Sequence, residues 1–195
     1  MEKLAPPRSA PLAMLHLANL VMPVAQWNAL LAAVRKSLKH LIVHLFMLAL
    51  QQGDGRDLLL PDDLLPVAGT LEELEVGTVL RPPGALHILP HLRSLSAHVA
   101  FPTVLPPPRS LPRALQCFRI VDERRAGANT WVWALAPFVR ALLRERPPTL
   151  RRVEIVTWLN EWRQLRDWGS LAFLLHQLAA AVGVTLQIDL GAIDD

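Results

Sequence analysis

This 195-residue chain has no tyrosine, one cysteine and, among its 20 basic residues, only three lysines: Lys3, Lys36 and Lys39. The single Cys117 excludes an internal disulfide and any multi-cysteine zinc site. That usage suits a reducing compartment, so an intracellular location is expected. The basic side chains are mostly arginine, so the sequence pI of 9.7 overstates the likeness to a lysine-rich nucleic-acid arm. No long apolar run is present. The greasiest stretch, residues 38–50, covers 13 residues and includes Lys39, His40 and His44. A membrane-crossing helix needs about 20 apolar residues, so a buried strand and its exit are expected there, and no membrane. Residues 1–7 contain no apolar core of a signal peptide.

Catalytic signatures are equally sparse. Gly169-Ser170 lacks the flanking glycines of a nucleophile elbow. Gly53-Asp54-Gly55 lacks the third glycine of a dinucleotide fingerprint and reads as a turn, and no phosphate-binding loop or HExxH run is found. His40 and His44, on a strand, would sit about 13 Å apart, too far for one ion. His87 and His91 straddle Pro90, which breaks a helix. No carboxylate is expected to complete a metal triad, and no metal or cofactor is expected. Arg119 stands two residues from Cys117, and a basic neighbour can lower a thiol pKa. Cys117 nevertheless reads as an ordinary strand residue. The chain is therefore expected not to be an enzyme.

What is present is a repeated spacing: an apolar residue, two arbitrary positions, a second apolar residue, one arbitrary position, a third. It recurs as Leu12-Leu15-Leu17, Leu38-Leu41-Val43, Leu71-Leu74-Val76, Leu92-Leu95-Ala97, Leu115-Phe118-Ile120 and Leu150-Val153-Ile155. A remnant, Leu186-Ile188, has Gly183 in the first slot. First slots are separated by 26, 33, 21, 23, 35 and 33 residues. With apolar residues at 52% of the chain, a real core can form. Each copy predicts a short strand whose second and third slots face inward, the first turning inward at the preceding corner. Parallel neighbours need crossovers. Three of these read as helices: one after Pro23 through Lys36, one capped at Asn129 or Thr130 and bent at Pro137, and one from about Ser170 to Val182, closed by Gly183. The others are rich in Gly, Asp and Pro, with one helical turn expected at 61–65 and extended or 3₁₀ segments over 81–90 and 102–112. The fold class expected is α/β: an irregular solenoid, a curved parallel sheet with helical and proline-rich crossovers. A doubly wound α/β domain is the alternative.

These triplets resemble the leucine-rich-repeat region of fungal F-box/LRR-type proteins, whose repeats are irregular in length. The resemblance spans Leu12 to Ile188 and implies one leucine-rich-repeat-like domain over residues 1–195. The F-box itself is not seen. The positions that hold asparagine in regular repeats carry Leu20, Phe46, Val79, Ala100, Glu123 and Trp158, so no asparagine ladder is expected. The resemblance implies a substrate-recognition or scaffold role.

Function is expected on the open face. The middle slots there are His16, Ile42, Glu75, Ser96, Arg119, Glu154 and Gln187. They are flanked on one side by Met14, His40, Glu73, Ser94, Cys117, Arg152 and Thr185, and on the other by Ala18, His44, Gly77, His98, Val121, Val156 and Asp189. The partner-binding set expected is Glu73, Glu75, Ser96, His98, Arg119, Arg152 and Glu154, taking a protein or peptide by shape and charge. The alternative is nucleic-acid binding through segment 113–166. That segment holds eleven arginines against five acids, with Trp131, Trp133, Trp158, Trp162 and Trp168 in or next to it. The net charge of +3 ranks that reading second. A small hydrolase ranks last. Only residues 1–11 precede the first strand, so that edge is open to a longer architecture or to a dimer through the terminal strand.

Overall fold

The computed structural model describes residues 11–44, 47–49, 55–56, 58–59, 61–77, 79–80, 86–99, 105–122, 129–158 and 162–191. Each apolar triplet ends in a strand: β1 Met14–Ala18, β2 His40–His44, β3 Glu73–Gly77, β4 Ser94–Val99, β5 Cys117–Asp122, β6 Arg152–Trp158 and β7 Thr185–Gly191. The seven form one open sheet in chain order, each parallel to the one before. The protein is thus α/β, with a mostly parallel open sheet and few helices. A second, three-stranded sheet joins Val21–Pro23, Met47–Ala49 and Gly55–Arg56, and Leu58–Leu59 pairs with Val79–Leu80.

The register follows from the side-chain period of two. Leu15, Leu41, Leu74, Leu95, Phe118, Val153 and Leu186 are mutual partners across the sheet. So are Leu17, Val43, Val76, Ala97, Ile120, Ile155 and Ile188. Within these rows only Leu15 and Ile188, on the outer strands, are less than buried. First-slot Leu38, Leu71, Leu92, Leu115 and Leu150 are buried below them. Leu12, expected inward, is 43% exposed. Among the described residues no strand lies beyond β1 to cover its corner. Burying one such side chain fully is worth about 1.5–3 kcal/mol.

A hydrogen-bond ladder repeats at the strand entrances. The carbonyls of Ala13, Lys39, Glu72, Arg93 and Gln116 each accept two backbone N–H groups from the next copy, at 2.7–3.1 Å. Thr70 and Thr149, each just before a first-slot leucine, hydrogen-bond back to the preceding copy, at Arg35 O and at Arg113 O and Leu115 O.

Strand order decides which face is covered. Parallel crossovers are right-handed in about 98% of cases, so a sheet that grows in one direction carries all of them on the same side. The crossovers are helix α1 Val24–Val34, a 3₁₀ segment Pro61–Val67, short 3₁₀ turns Leu86–Ile88 and Pro108–Ser110, helix α2 Asn129–Arg144 and helix α3 Trp162–Ala181. Neighbouring crossovers touch: α1 meets Pro61–Val67, which meets Leu86–Ile88, and α2 meets α3. Trp27 of α1 is fully buried, and its Nε1–H donates to Asp63 O at 2.9 Å.

Pro137 lies well inside α2, and beyond it the helix goes on to bury Val139, Leu142 and Leu143 on one side. One helix departs from expectation. Helix α3 begins at Trp162 rather than near Ser170, because nothing from Arg163 to Trp168 breaks it and Gly169 is tolerated. Its end is as expected. Gly183 takes φ 70°, its N–H bonds Ala180 O, and Val184 N–H bonds Ala179 O. That pair of bonds is the Schellman arrangement that glycine permits.

Candidate functional site

The other face, which carries no helix among the described residues, is built from residues that alternate with the buried rows. At its lower edge Lys39 Nζ lies 2.9 Å from Glu72, and Arg93 lies 3.9 Å from the same carboxylate. The hydrogen bond and charge of Lys39 hold Glu72 below the usual carboxylate range. Beside it His40 Nδ1 sits 2.8 Å from Glu73. A groove of about 490 Å³ opens here, lined by Lys36, Lys39, Thr70, Glu72, His91 and Arg93 among others.

The middle of β2–β4 carries a tighter arrangement. His44 Nε2 and His98 Nε2 both lie 3.0 Å from the same atom, Glu75 Oε1. A carboxylate only accepts, so both rings must carry their proton on Nε2 to make these bonds. The imidazoles come from strands two places apart and meet edge-to-face, centroids 4.6 Å apart and planes at 89°. His16 of β1 approaches from the other side, 6.0 Å from His44 between centroids. The strand between His44 and His98 makes their meeting possible. Gly77 pairs with His44, and a Cβ there would lie 2.5 Å from His44 Nδ1. Burial, then the neighbouring His44, pushes the His98 imidazole below its usual pKa; Glu75 opposes this.

Across β5–β7 the face changes character. Glu154 receives Arg152 Nε at 2.7 Å and Arg119 Nε at 3.7 Å. Arg152 also donates to Gln187 at 2.6 Å, and Gln187 in turn donates to Asp189. Cys117 Sγ lies 3.7 Å from Glu154. Burial and the Glu154 charge push this thiol up, outweighing Arg152 and Arg119. The lowering that a basic neighbour can bring is outweighed here: the arginines pair with Glu154, and the acid is what the sulfur meets.

The residues expected at the site divide accordingly. Glu75 and His98 come together with His44; Arg119, Arg152 and Glu154 form the second group; Glu73 pairs with His40. Ser96 lies low between Glu75 and Arg119, only 7% exposed, its hydroxyl without a hydrogen-bond partner among the described residues. A dimple of about 70 Å³ on this face is lined by Met14, His40, Glu73, Glu75, Ser94 and Ser96, with others. The expectation that no carboxylate completes a metal triad is corrected. Donor atoms of His44, Glu75 and His98 all lie within 4.8 Å of one another. Following spacing along one strand missed this, because the three sit on three strands. The signal was the row itself, with His44, Gly77 and His98 at equivalent positions. The side chains of Trp131, Trp133, Trp158, Trp162 and Trp168 lie outside the described residues. No described helix is long and apolar enough to cross a membrane.

Compared with family models, with curated proteins and with solved structures, the chain matches none of them.

Proposed function

We propose that this chain is a leucine-rich-repeat-type arc that binds a protein or peptide on the bare face of its sheet, with no bond-making role. One observation carries the reading: seven parallel strands in strict chain order, with polar, cross-paired side chains on the face away from the core. Stacked repeats of this kind bury one side and present the other as a continuous surface. The entrance ladder, repeated from Ala13 to Gln116, supports a repeat rather than an ordinary sheet. On the face, ion pairs hold Arg119, Arg152 and Glu154 in place before any partner arrives, which lowers the ordering cost of binding. The Ser94–Ser96 dimple between taller neighbours fits one protruding partner side chain.

Nucleic-acid binding through 113–166 ranks second. Within that segment Arg119 and Arg152 share the one carboxylate of Glu154, and Arg109, just before it, is held by Glu145. Free phosphate contacts would be salt-sensitive.

The test is site-specific crosslinking of the full chain in cells. A photo-reactive side chain at Arg119 is expected to capture polypeptide. One at Phe173, exposed on α3, is expected to capture none. Crosslinks from Phe173 alone, or nuclease-sensitive crosslinks from Arg119, would overturn the proposal.

A further inference from the structure

We infer that His44, Glu75 and His98 form a binding site for a divalent late transition-metal ion, Zn2+ being the ion to test, with a fourth coordination position open on the bare face of the sheet. This stands independently of the partner-binding reading.

The donor set is the first argument. Two neutral imidazoles and one carboxylate suit Zn2+ and its neighbours in the first transition row, whereas Mg2+ and Ca2+ prefer all-oxygen shells. Three protein ligands plus an open position is the arrangement of accessible zinc sites, as opposed to closed four-ligand ones.

Geometry is the second. A tetrahedral zinc with bonds of about 2.0–2.2 Å places its ligand atoms about 3.3 Å apart. Each Nε2 is already 3.0 Å from Glu75 Oε1, and all three donors fall within 4.8 Å of one another. Small rotations about side-chain bonds are enough to admit the ion; the strands need not move. Both imidazoles present the same atom, Nε2, toward the carboxylate. As the ion enters, each ring's proton would move from Nε2 to Nδ1 by exchange with water, so that both rings bind as neutral imidazoles and Glu75 Oε1 turns from accepting their N–H groups to holding the ion.

The third argument is the gap beneath the rings. Adjacent strands are about 4.8 Å apart, so strands two places apart are about 9.6 Å apart, too far for ordinary side-chain neighbours to share an ion unless something lets them lean inward. Gly77 is that opening: a Cβ there would meet His44 Nδ1 at 2.5 Å and Cγ at 3.2 Å. Gly77 is thus a positioning residue, holding no ligand itself. The side chains of the three ligands are between 20% and 32% exposed, partly withdrawn from water yet reachable. Among the described residues, Arg119 is the cation whose charge reaches His98, and it is drawn toward Glu154.

The test is titration of the metal-free full chain with ZnCl2 against a chromophoric chelator, alongside His44→Ala, His98→Ala, Glu75→Gln and Gly77→Ala. One ion per chain is expected. Losing any ligand is expected to weaken binding at least about tenfold, the lower end of what even outer partners of a metal cost. Gly77→Ala is expected to weaken it with all three ligands intact, and a hundredfold excess of Mg2+ to displace nothing. A second measurement needs no variant: carbethoxylation of the wild-type chain, mapped by mass spectrometry. Zn2+ is expected to protect His44 and His98 and leave exposed His176 reactive. No binding, binding that survives loss of both histidines, or protection elsewhere on the chain would overturn the site and leave a plain hydrogen-bonded triad.

Discussion

The two halves of the open face share a backbone and differ in chemistry. From β2 to β4 the face carries histidines and carboxylates that converge on one oxygen over a glycine. From β5 to β7 it carries arginines, one central glutamate and a glutamine, spread sideways over three strands. In both, the register of the buried rows puts side chains of adjacent strands opposite one another. The first half adds a missing side chain, so neighbours two strands apart can meet and concentrate their donors at a point. In the second half the open-face pairs either stay within one strand, as Arg152–Glu154 and Gln187–Asp189 do, or reach the adjacent one, as Arg119–Glu154 and Arg152–Gln187 do. A uniform scaffold thus yields a point-like site on one side and a charged strip on the other.

What the halves share should give the largest effect. Leu74 in the first and Phe118 in the second are buried in one row, Phe118 edge-on to Phe138 at 6.0 Å. Leu74→Ala is expected to cost about 2–5 kcal/mol and Phe118→Ala about 3–5 kcal/mol. If the halves are one core, each variant unfolds in a single transition by circular dichroism and by tryptophan fluorescence alike. Two separated transitions would mean that they are two units, and that the comparison concerns two modules.

The next effect should belong to one half alone. A ligand that binds only the folded chain stabilises it by about 2.7 kcal/mol at a hundredfold its dissociation constant. Zn2+ is therefore expected to raise the melting temperature of the wild type and of Arg152→Ala alike, and that of Glu75→Gln by clearly less. Stabilisation of Glu75→Gln to the same extent would erase the chemical contrast.

The scaffold was more legible in the sequence than the site. Spaced leucines specify the buried rows because strand side chains alternate with a period of two, so six triplets fix six strands and their register together. Leu12 escaped that logic because burial of a corner needs a neighbour on both sides. The start of α3 escaped it because Gly169, which reads as a break just before Ser170, is tolerated inside the helix. The metal-type cluster was hidden differently. Residues 44, 75 and 98 are separated by unequal crossovers, and no linear motif relates them. They become neighbours only once the strands are set side by side, and only Gly77 tells that the rings can meet.

A smaller effect distinguishes the halves by ionisation. Cys117 sits beside Glu154, and both burial and that charge disfavour its thiolate. Alkylation by iodoacetamide near pH 8.5 is expected to be slower than for the same cysteine in the urea-unfolded chain. Glu154→Gln is expected to speed it, since the repelling charge goes and Arg119 and Arg152 are freed to favour the anion. The linkage has the corresponding sign. A raised folded-state pKa means that the unfolded chain ionises first, so this residue's contribution to stability is intact below the ordinary thiol range and is lost as pH rises through it and beyond. Glu75→Gln, in the other half, is expected to leave the alkylation rate unchanged. If it does not, the two halves are electrically coupled.

The smallest expected effect on stability separates what the charged strip does from what holds the fold. Arg152 is about half exposed and its bond to Glu154 spans 2.7 Å. Exposed pairs are worth about 0–1 kcal/mol, so Arg152→Ala is expected to shift the denaturation midpoint by no more than that. Whatever shift remains is expected to vanish near 1 M salt, where screening acts over about 3 Å. Glu154 is only 16% exposed, and with Arg152 gone it keeps Arg119 at 3.7 Å, so no buried charge is orphaned. The double reversal Arg119→Glu, Arg152→Glu is different in kind. It sets three acids against each other on adjacent strands and inverts the potential of the strip, so partner capture is expected to fall while the chain stays folded. A large loss of stability from Arg152→Ala alone would mean that the strip is part of the structural frame, and that the two halves differ less in purpose than in composition.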